Sequence, residues 1–253
     1  MSQAGRALAE TPGPGPVPHL EIEQWREAYG LAAGITTRDR DFDLGLFGPG
    51  RAGSVLAHWL AFHQSFGERF PDVVVSRQVH GKAIQFYDKS SGGWQVTDGF
   101  DGHSTSTPGL LLAVTVADCV PIYLAHPSSG AICLLHAGWR GTAAGILEAG
   151  IALMGGASGA SAGELVMHCG VSICGKCYEV GPEVVVALTG RKTKERQTVD
   201  LRNDLAGRAD RLGVRDITVS PWCSAHDADR FFSHRRSGGA DGRMLAFLGL
   251  PKA

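Results

Sequence analysis

The chain lacks any long apolar run. Its longest largely apolar stretch, Leu110 to Ala117, is far below the roughly 18 to 20 residues of a membrane-spanning helix. The N-terminus also lacks a basic region followed by an apolar segment and a small-residue cleavage site, so no membrane association is expected and the inferred compartment is cytoplasmic. An excess of either charge is missing as well. With 25 acidic and 24 basic residues and a formal net charge of −1, the composition argues against a protein that neutralises many phosphates along a nucleic acid, and a small-molecule partner is expected instead. There is no internal repeat and no second Cys-x-x-Cys, and none of the ten histidines stands in His-x-His spacing. Cys119 and Cys133 lie in or beside strongly apolar segments of a large chain, which excludes a small disulfide scaffold.

What the chain has is size and apolar content. Its 253 residues fit one large α/β domain or two small ones, and 43% hydrophobic residues suffice for a substantial core without metals or disulfides. Glycine is abundant, at 35 residues without a collagen-like period, which implies tight turns and close backbone approaches. The Pro and Gly alternation from Thr11 to Pro18 predicts a mobile tail over residues 1–18 that sustains neither helix nor ladder. Residues 19–253 are then the catalytic domain.

Apolar residues at helical spacing, among them Val55, Leu56, Trp59, Leu60 and Phe62, predict a helix from Ser54 to Phe66. Strands are expected over Asp72–Val79, Ala83–Tyr87, Leu110–Ala117, Val120–Ala125, Ala131–Leu135, Leu165–Val171 and Asp216–Ser220. Further helices are expected over Thr142–Met154, Pro182–Leu188 and Asp200–Leu212. The basic segment Arg191 to Arg196 reads as a solvated loop. Periodicity by itself yields only mixed α and β.

Three segments place a soft or imidazole ligand at the mouth of an apolar strand: Arg77-Gln78-Val79-His80-Gly81, Ala117-Asp118-Cys119-Val120-Pro121 and Leu135-His136-Ala137-Gly138-Trp139-Arg140-Gly141. One such ligand per strand end suits a three-ligand zinc site with an open fourth position. Zinc there lowers the pKa of its bound water toward about 7. Asp118 is placed to orient a ligand or handle a proton. Gly81, Gly138 and Gly141 allow close backbone approach, and Arg140 invites an anion. Read singly, each histidine is also a polar strand cap and each buried cysteine an inert hydrophobe; together the three segments point to a site.

Five segments in order, Gln78-Val79-His80-Gly81, Ala117-Asp118-Cys119-Val120-Pro121-Ile122, His136-Ala137-Gly138-Trp139-Arg140-Gly141, Cys177-Tyr178-Glu179-Val180-Gly181 and Phe231-Phe232-Ser233-His234-Arg235-Arg236, resemble signatures of the laccase-domain, or polyphenol-oxidase-like, family. The resemblance runs from about Gly34 to Leu248. It implies an α+β fold with layered α/β/β/α architecture, like that of the cytotoxic necrotizing factors, in a single domain. It also implies metal ligands at His80, Cys119 and His136, and zinc, or copper, as cofactor. The implied activity is a purine nucleoside phosphorylase with adenosine deaminase and methylthioadenosine phosphorylase activities, acting on purine nucleosides and phosphate. Cys119, His136 and Asp118 are then the catalytic residues. In deamination a zinc-bound hydroxide attacks C6, and Asp118 or Glu179 protonates the leaving ammonia. In phosphorolysis Arg38, Arg140 and Arg235 or Arg236 hold phosphate as planar, permanently charged forks. At most one of Arg235 and Arg236 faces the site. Tyr178 is placed to stack on a purine, and Phe47 to anchor its loop.

Competing readings concern the same residues. Cys119 as a thiolate nucleophile with His136 or His80 as base describes a cysteine hydrolase, for example in peptidoglycan-precursor editing. A copper oxidase of phenols, suggested by the family's older name, needs histidine clusters the chain does not have. Cys174-x-x-Cys177 reads as a redox dithiol or half a zinc knuckle, with His168 or Cys169 as the obvious distant partners. Where the family commonly has Gly-Pro-Cys, this chain has Cys174-Gly175-Lys176. His226, Asp227, Asp229 and His234, around Phe231-Phe232, read as a turn and rim and not as a second metal site.

Overall fold

The computed structural model describes residues 5–47, 52–90 and 92–252. Two seven-stranded sheets lie face to face. The first runs in the order Arg6–Ala7, Asp216–Val219, Val166–Cys169, Val120–His126, Ala131–Ala137, Gly102–Thr105, Ile84–Tyr87. The second runs Thr11–Pro12, His19–Glu21, Ala32–Thr36, Met244–Gly249, Leu110–Val116, Asp72–Arg77, Gly93–Asp98.

The central strands are apolar on both faces because both faces are covered. In Leu110–Val116 the even positions Leu110, Leu112, Val114 and Val116 enter the core between the sheets, and Leu111 and Ala113 pack under the helix Ala52–Phe66. Val120–His126 divides in the same way. Tyr123 and Ala125 face the opposite sheet, whereas Ile122 and Leu124 meet a helical layer that includes Ile146, Val184 and Leu205. That layer consists of Ile146–Ser158, Pro182–Thr189 and Leu201–Arg211. The order of layers is therefore α/β/β/α in one mixed α and β domain, as the resemblance implies. No helix among the described residues is long and apolar enough to cross a membrane.

Some elements depart from expectation. In Ala52–Phe66 the buried stripe is Val55, Trp59, Phe62 and Phe66, at helical i, i+4, i+7 spacing. Leu56 and Leu60, one position further on, face outward and are exposed. The helix expected over Thr142–Met154 is two helices, Trp139–Ala144 and Ile146–Ser158, because Gly145 takes a left-handed conformation at φ 88° and breaks the hydrogen-bond ladder. The expected strand Asp72–Val79 ends at Arg77, where the chain starts to cross to the other sheet.

The largest correction concerns the expected tail. Residues 1–4 lie outside the described residues, but Arg6–Ala7 pairs in parallel with Asp216–Val219 and Thr11–Pro12 pairs with His19–Glu21. Proline is tolerated in the latter because Pro12 belongs to the last strand of its sheet, where a missing N–H does least harm. Between these two pairings Glu10 is buried. Its Oε1 lies 3.1 Å from His168 Nε2, and its Oε2 accepts a 2.7 Å bond from the Ser220 hydroxyl. Composition marked this stretch as unable to form a ladder, yet one buried carboxylate with two partners ties it down.

Glu10→Ala is expected to destabilise the protein by about 1–3 kcal/mol, because it removes the buried carboxylate partner of His168 Nε2 and of the Ser220 O–H. Urea denaturation followed by tryptophan fluorescence measures this; an unchanged midpoint would show that the segment contributes nothing.

Candidate functional site

The site forms at one end of the sandwich, where the chain repeatedly changes sheets. Residues 78–83 leave the second sheet after Asp72–Arg77 and enter the first at Ile84–Tyr87, carrying His80. Residues 117–119 cross between Leu110–Val116 and Val120–His126, carrying Cys119. His136 lies in Ala131–Ala137, where it pairs with Pro121. This register decides the geometry. Val120 pairs with Ala137, so Cys119 falls opposite Gly138 one step beyond. A side chain there would not fit: a Cβ on Gly138 would lie 2.9 Å from Cys119 Sγ and 3.1 Å from His80 Cδ2. Gly141 is constrained in the same way, since its Cβ would lie 2.8 Å from the Gly81 carbonyl oxygen. Gly81 itself has ordinary room, with nothing nearer than 3.6 Å to an added Cβ.

One ligand atom from each of His80, Cys119 and His136 lies within 4.8 Å of the other two. The rings of His80 and His136 meet edge to face at 4.9 Å between centroids. Two of the flanking backbone conformations are unusual for residues with side chains, His80 at φ 60° and Asp118 at φ 86°.

Asp101, which the sequence reading missed, holds this geometry. It is fully buried, and its carboxylate accepts hydrogen bonds from the backbone N–H groups of Val79 (3.1 Å), His80 (2.9 Å) and Gly81 (2.7 Å). The Nδ1–H of His136 donates to it at 2.8 Å, which leaves Nε2 as the ring nitrogen for Cys119 or an ion. Burial pushes the Asp101 carboxyl up, but the His136 hydrogen bond and these amides outweigh it, so the net shift is downward. Burial likewise raises the Cys119 thiol, yet the charge and hydrogen bonds of His136 and His80 bring it down to about 6. Burial disfavours the His136 imidazolium, but the facing Cys119 and Asp101 raise it to about 9. Cys133 and Cys169, buried without such neighbours, are both pushed up to about 12 and are inert hydrophobes.

Asp118, Arg140, Tyr178 and Arg235 line the same cleft as the three ligands, a space of about 630 Å³. Asp118 has both carboxylate oxygens engaged, accepting from the Ser224 hydroxyl at 2.6 Å and the Arg235 backbone N–H at 2.7 Å. Tyr178 carries the Arg235 guanidinium over its ring at 5.1 Å, so one stacking face is occupied. Burial and the Cys119 charge push its phenol to about 12, keeping it a hydrogen-bond donor at neutral pH. Arg140 lies over Trp139 at 4.4 Å, and no carboxylate among the described residues pairs with it. Phe47 stands in the wall of the cleft.

Three expected residues are elsewhere. Arg38 packs over Phe232 at 5.0 Å and turns to the Ala228 carbonyl and to Asp241; it is not part of the cleft wall. Arg236 is bound to the carbonyls of Ser224 and Phe231 and to Asp241, which leaves Arg235 as the member of the pair that faces the cleft. Glu179 is exposed and paired with Arg196. His234, read from the sequence as a turn and rim residue, lines the cleft; Arg77 and Arg243 also line it and were not singled out from the sequence.

A second cluster corrects another expectation. Cys174 and Cys177 meet neither His168 nor Cys169 as ligand partners. They meet Cys223 and His226, and the four ligand atoms all lie within 4.8 Å of one another. His168 is committed to Glu10 and Thr218. The signal overlooked was Cys223-x-x-His226, which complements Cys174-x-x-Cys177.

Residues 34–251 match the family described as multi-copper polyphenol oxidoreductase laccase. The chain is 39% identical over 213 residues to purine nucleoside phosphorylase YlmD of Geobacillus stearothermophilus, covering 77% of this chain and 76% of that protein. It is 38% identical over 182 residues to a purine nucleoside phosphorylase of Deinococcus radiodurans, covering 69% of each. The crystal structure of YlmD from Geobacillus stearothermophilus superposes with a TM-score of 0.87 at 31% identity, over 95% of this chain and 98% of that one. The order of motifs, the layered fold and these matches agree, and the chain belongs to the multi-copper polyphenol oxidoreductase laccase family.

Proposed function

We propose that this protein is a purine nucleoside phosphorylase whose cleft also deaminates adenosine and accepts methylthioadenosine. The observation that carries this reading is one cleft in which His80, Cys119 and His136 converge and whose wall also holds Arg140, Arg235 and Arg243. A metal-ligand set and an anion-binding wall thus face the same space. The names of the relatives in Geobacillus stearothermophilus and Deinococcus radiodurans support the substrate class.

The donor set fits a divalent ion. One thiolate and two imidazoles suit zinc, with copper as the other ion such donors accept, and Asp101 holds His136 as a carboxylate holds a ligating histidine. An ion bound by His80, Cys119 and His136 supplies Lewis acidity at neutral pH. The remaining work falls to the chain. In phosphorolysis a phosphate oxygen forms a bond to ribose C1′ as the bond from C1′ to the purine nitrogen breaks. The products are the free base and ribose 1-phosphate. Arg140 has no carboxylate partner among the described residues, so it can take phosphate without giving up an ion pair. Arg235 and Arg243 bond to backbone carbonyls and keep the wall positive. The Tyr178 phenol donates to a substrate oxygen or ring nitrogen. Asp118, with both oxygens used, acts by fixing the Arg235 backbone and Ser224.

The hydrolase reading uses Asp101, His136 and Cys119 as a nucleophilic triad. The third converging ring, His80, and the phosphorylase names of the relatives favour the metal centre.

Purified protein given adenosine is expected to release adenine and ribose 1-phosphate with phosphate present, and inosine without it. Chelation or His136→Ala should abolish both reactions, and Arg140→Ala should raise the KM for phosphate at least tenfold with a smaller effect on the KM for nucleoside. Product chromatography decides, and a metal-replete protein that yields none of these products refutes the reading.

Asp101→Asn is expected to weaken metal binding about 10- to 100-fold, in the range usual for residues that orient a metal-bound histidine. Competition with a chromophoric chelator measures this, with circular dichroism to confirm that the fold persists. An unchanged affinity would remove Asp101 from the positioning role.

A further inference from the structure

The cluster of Cys174, Cys177, Cys223 and His226 is separate from the cleft's own ligand trio and takes no part in the chemistry above. Its four ligand atoms lie within 4.8 Å of one another. Cys174 Sγ lies 3.4 Å from Nδ1 of His226, and Cys177 Sγ lies 3.4 Å from its Nε2. Around a tetrahedral zinc, with bonds of about 2.3 Å to sulfur and 2.0–2.1 Å to nitrogen, neighbouring ligand atoms stand about 3.5–4 Å apart. Only one ring nitrogen of His226 ligates, so one of its two sulfur contacts is close to that spacing and the other opens as the ring turns onto the ion, a small adjustment from the present cluster. Cys223 Sγ also accepts backbone N–H bonds from Cys174 (3.2 Å) and His226 (3.4 Å), the type of outer contact that steadies a thiolate ligand. All six cysteines are free thiols.

We propose that these four residues form a second, structural metal site of the Cys3His type, selective for zinc. Four protein ligands leave no position for substrate, so the site acts as a clip and not as a catalyst. What it clips is clear from its neighbours. Ser172 and Cys223 form an isolated parallel bridge, and the Ile173 N–H donates to the Asp118 carbonyl. Ser224, next to Cys223, donates to the Asp118 carboxylate, and Tyr178 follows Cys177 into the cleft. The metal therefore joins the loop bearing Tyr178 to the segment leading to Arg235, and sets one wall of the cleft from behind.

Metal analysis of protein expressed with zinc tests the site. Zinc per chain should fall by one equivalent in Cys223→Ser and in Cys177→Ser, and stay at the wild-type value in His226→Cys, which keeps four suitable donors. The loss should add to any caused by His136→Ala, which bears only on the cleft, so failure of the one centre is distinguishable from failure of the other. If the serine variants do not fold, the native wild-type protein still decides. Peptide mapping should find Cys174, Cys177 and Cys223 protected from alkylation until a chelator is added. Equal zinc in wild type and Cys223→Ser, alkylation indifferent to chelator, or a Cys174–Cys177 disulfide in the purified protein would overturn the proposal.

Discussion

The site depends on the carboxylate of Asp101. It lies in the crossing from Gly93–Asp98 to Gly102–Thr105 and reaches the neighbouring crossing through three backbone amides and the first sheet through His136. The His136 backbone N–H donates in turn to the Asp101 carbonyl at 2.7 Å. A buried carboxylate is costly unless its lone pairs are filled. Here they are filled by groups whose positions matter to the chemistry, so the stability of the crossing and the aim of His80 and His136 have one origin.

Sheet-to-sheet crossings explain why ligands distant in sequence become neighbours. Within a strand, alternation commits every side chain to one core or another, as in Leu110–Val116. Where the chain leaves a strand, that commitment lapses and polar side chains can turn toward the cleft. His80 and Asp118 do so through left-handed backbone, a conformation that costs on the order of 1–3 kcal/mol and persists only where the surroundings impose it. The surroundings are the glycines that let two backbones approach, the Asp101 carboxylate that takes the amides of residues 79–81, and the Ser224 hydroxyl and Arg235 N–H that hold Asp118.

The apolar strands and most helices were legible because periodicity and turn residues act locally. The convergence of His80, Cys119 and His136 was legible because imidazole and thiol at strand ends are chemically conspicuous. Asp101 was not, since an acidic residue in a Gly-rich connection has no pattern until the crossings are brought together. Arg38 lies outside the cleft wall for a reason the sequence does not show: it stands in an arginine-bearing loop of the right character, but Phe232 and Asp241 hold it aside. The residues after Thr11 were misjudged because proline content bears on helices and interior strands, whereas this segment needed only a two-residue pairing. Cys223 and His226 were read apart because each has a bland explanation alone.

The N-terminal strap does more than its own bonds hold in place. Its two short pairings sit on the outermost strands of both sheets on the same side of the sandwich, so one peptide masks two rows of amides and carbonyls that would otherwise be open to other chains. Damage between residues 7 and 11 would unmask both together. Self-association through exposed sheet margins, more than loss of the core, is the hazard this arrangement suppresses.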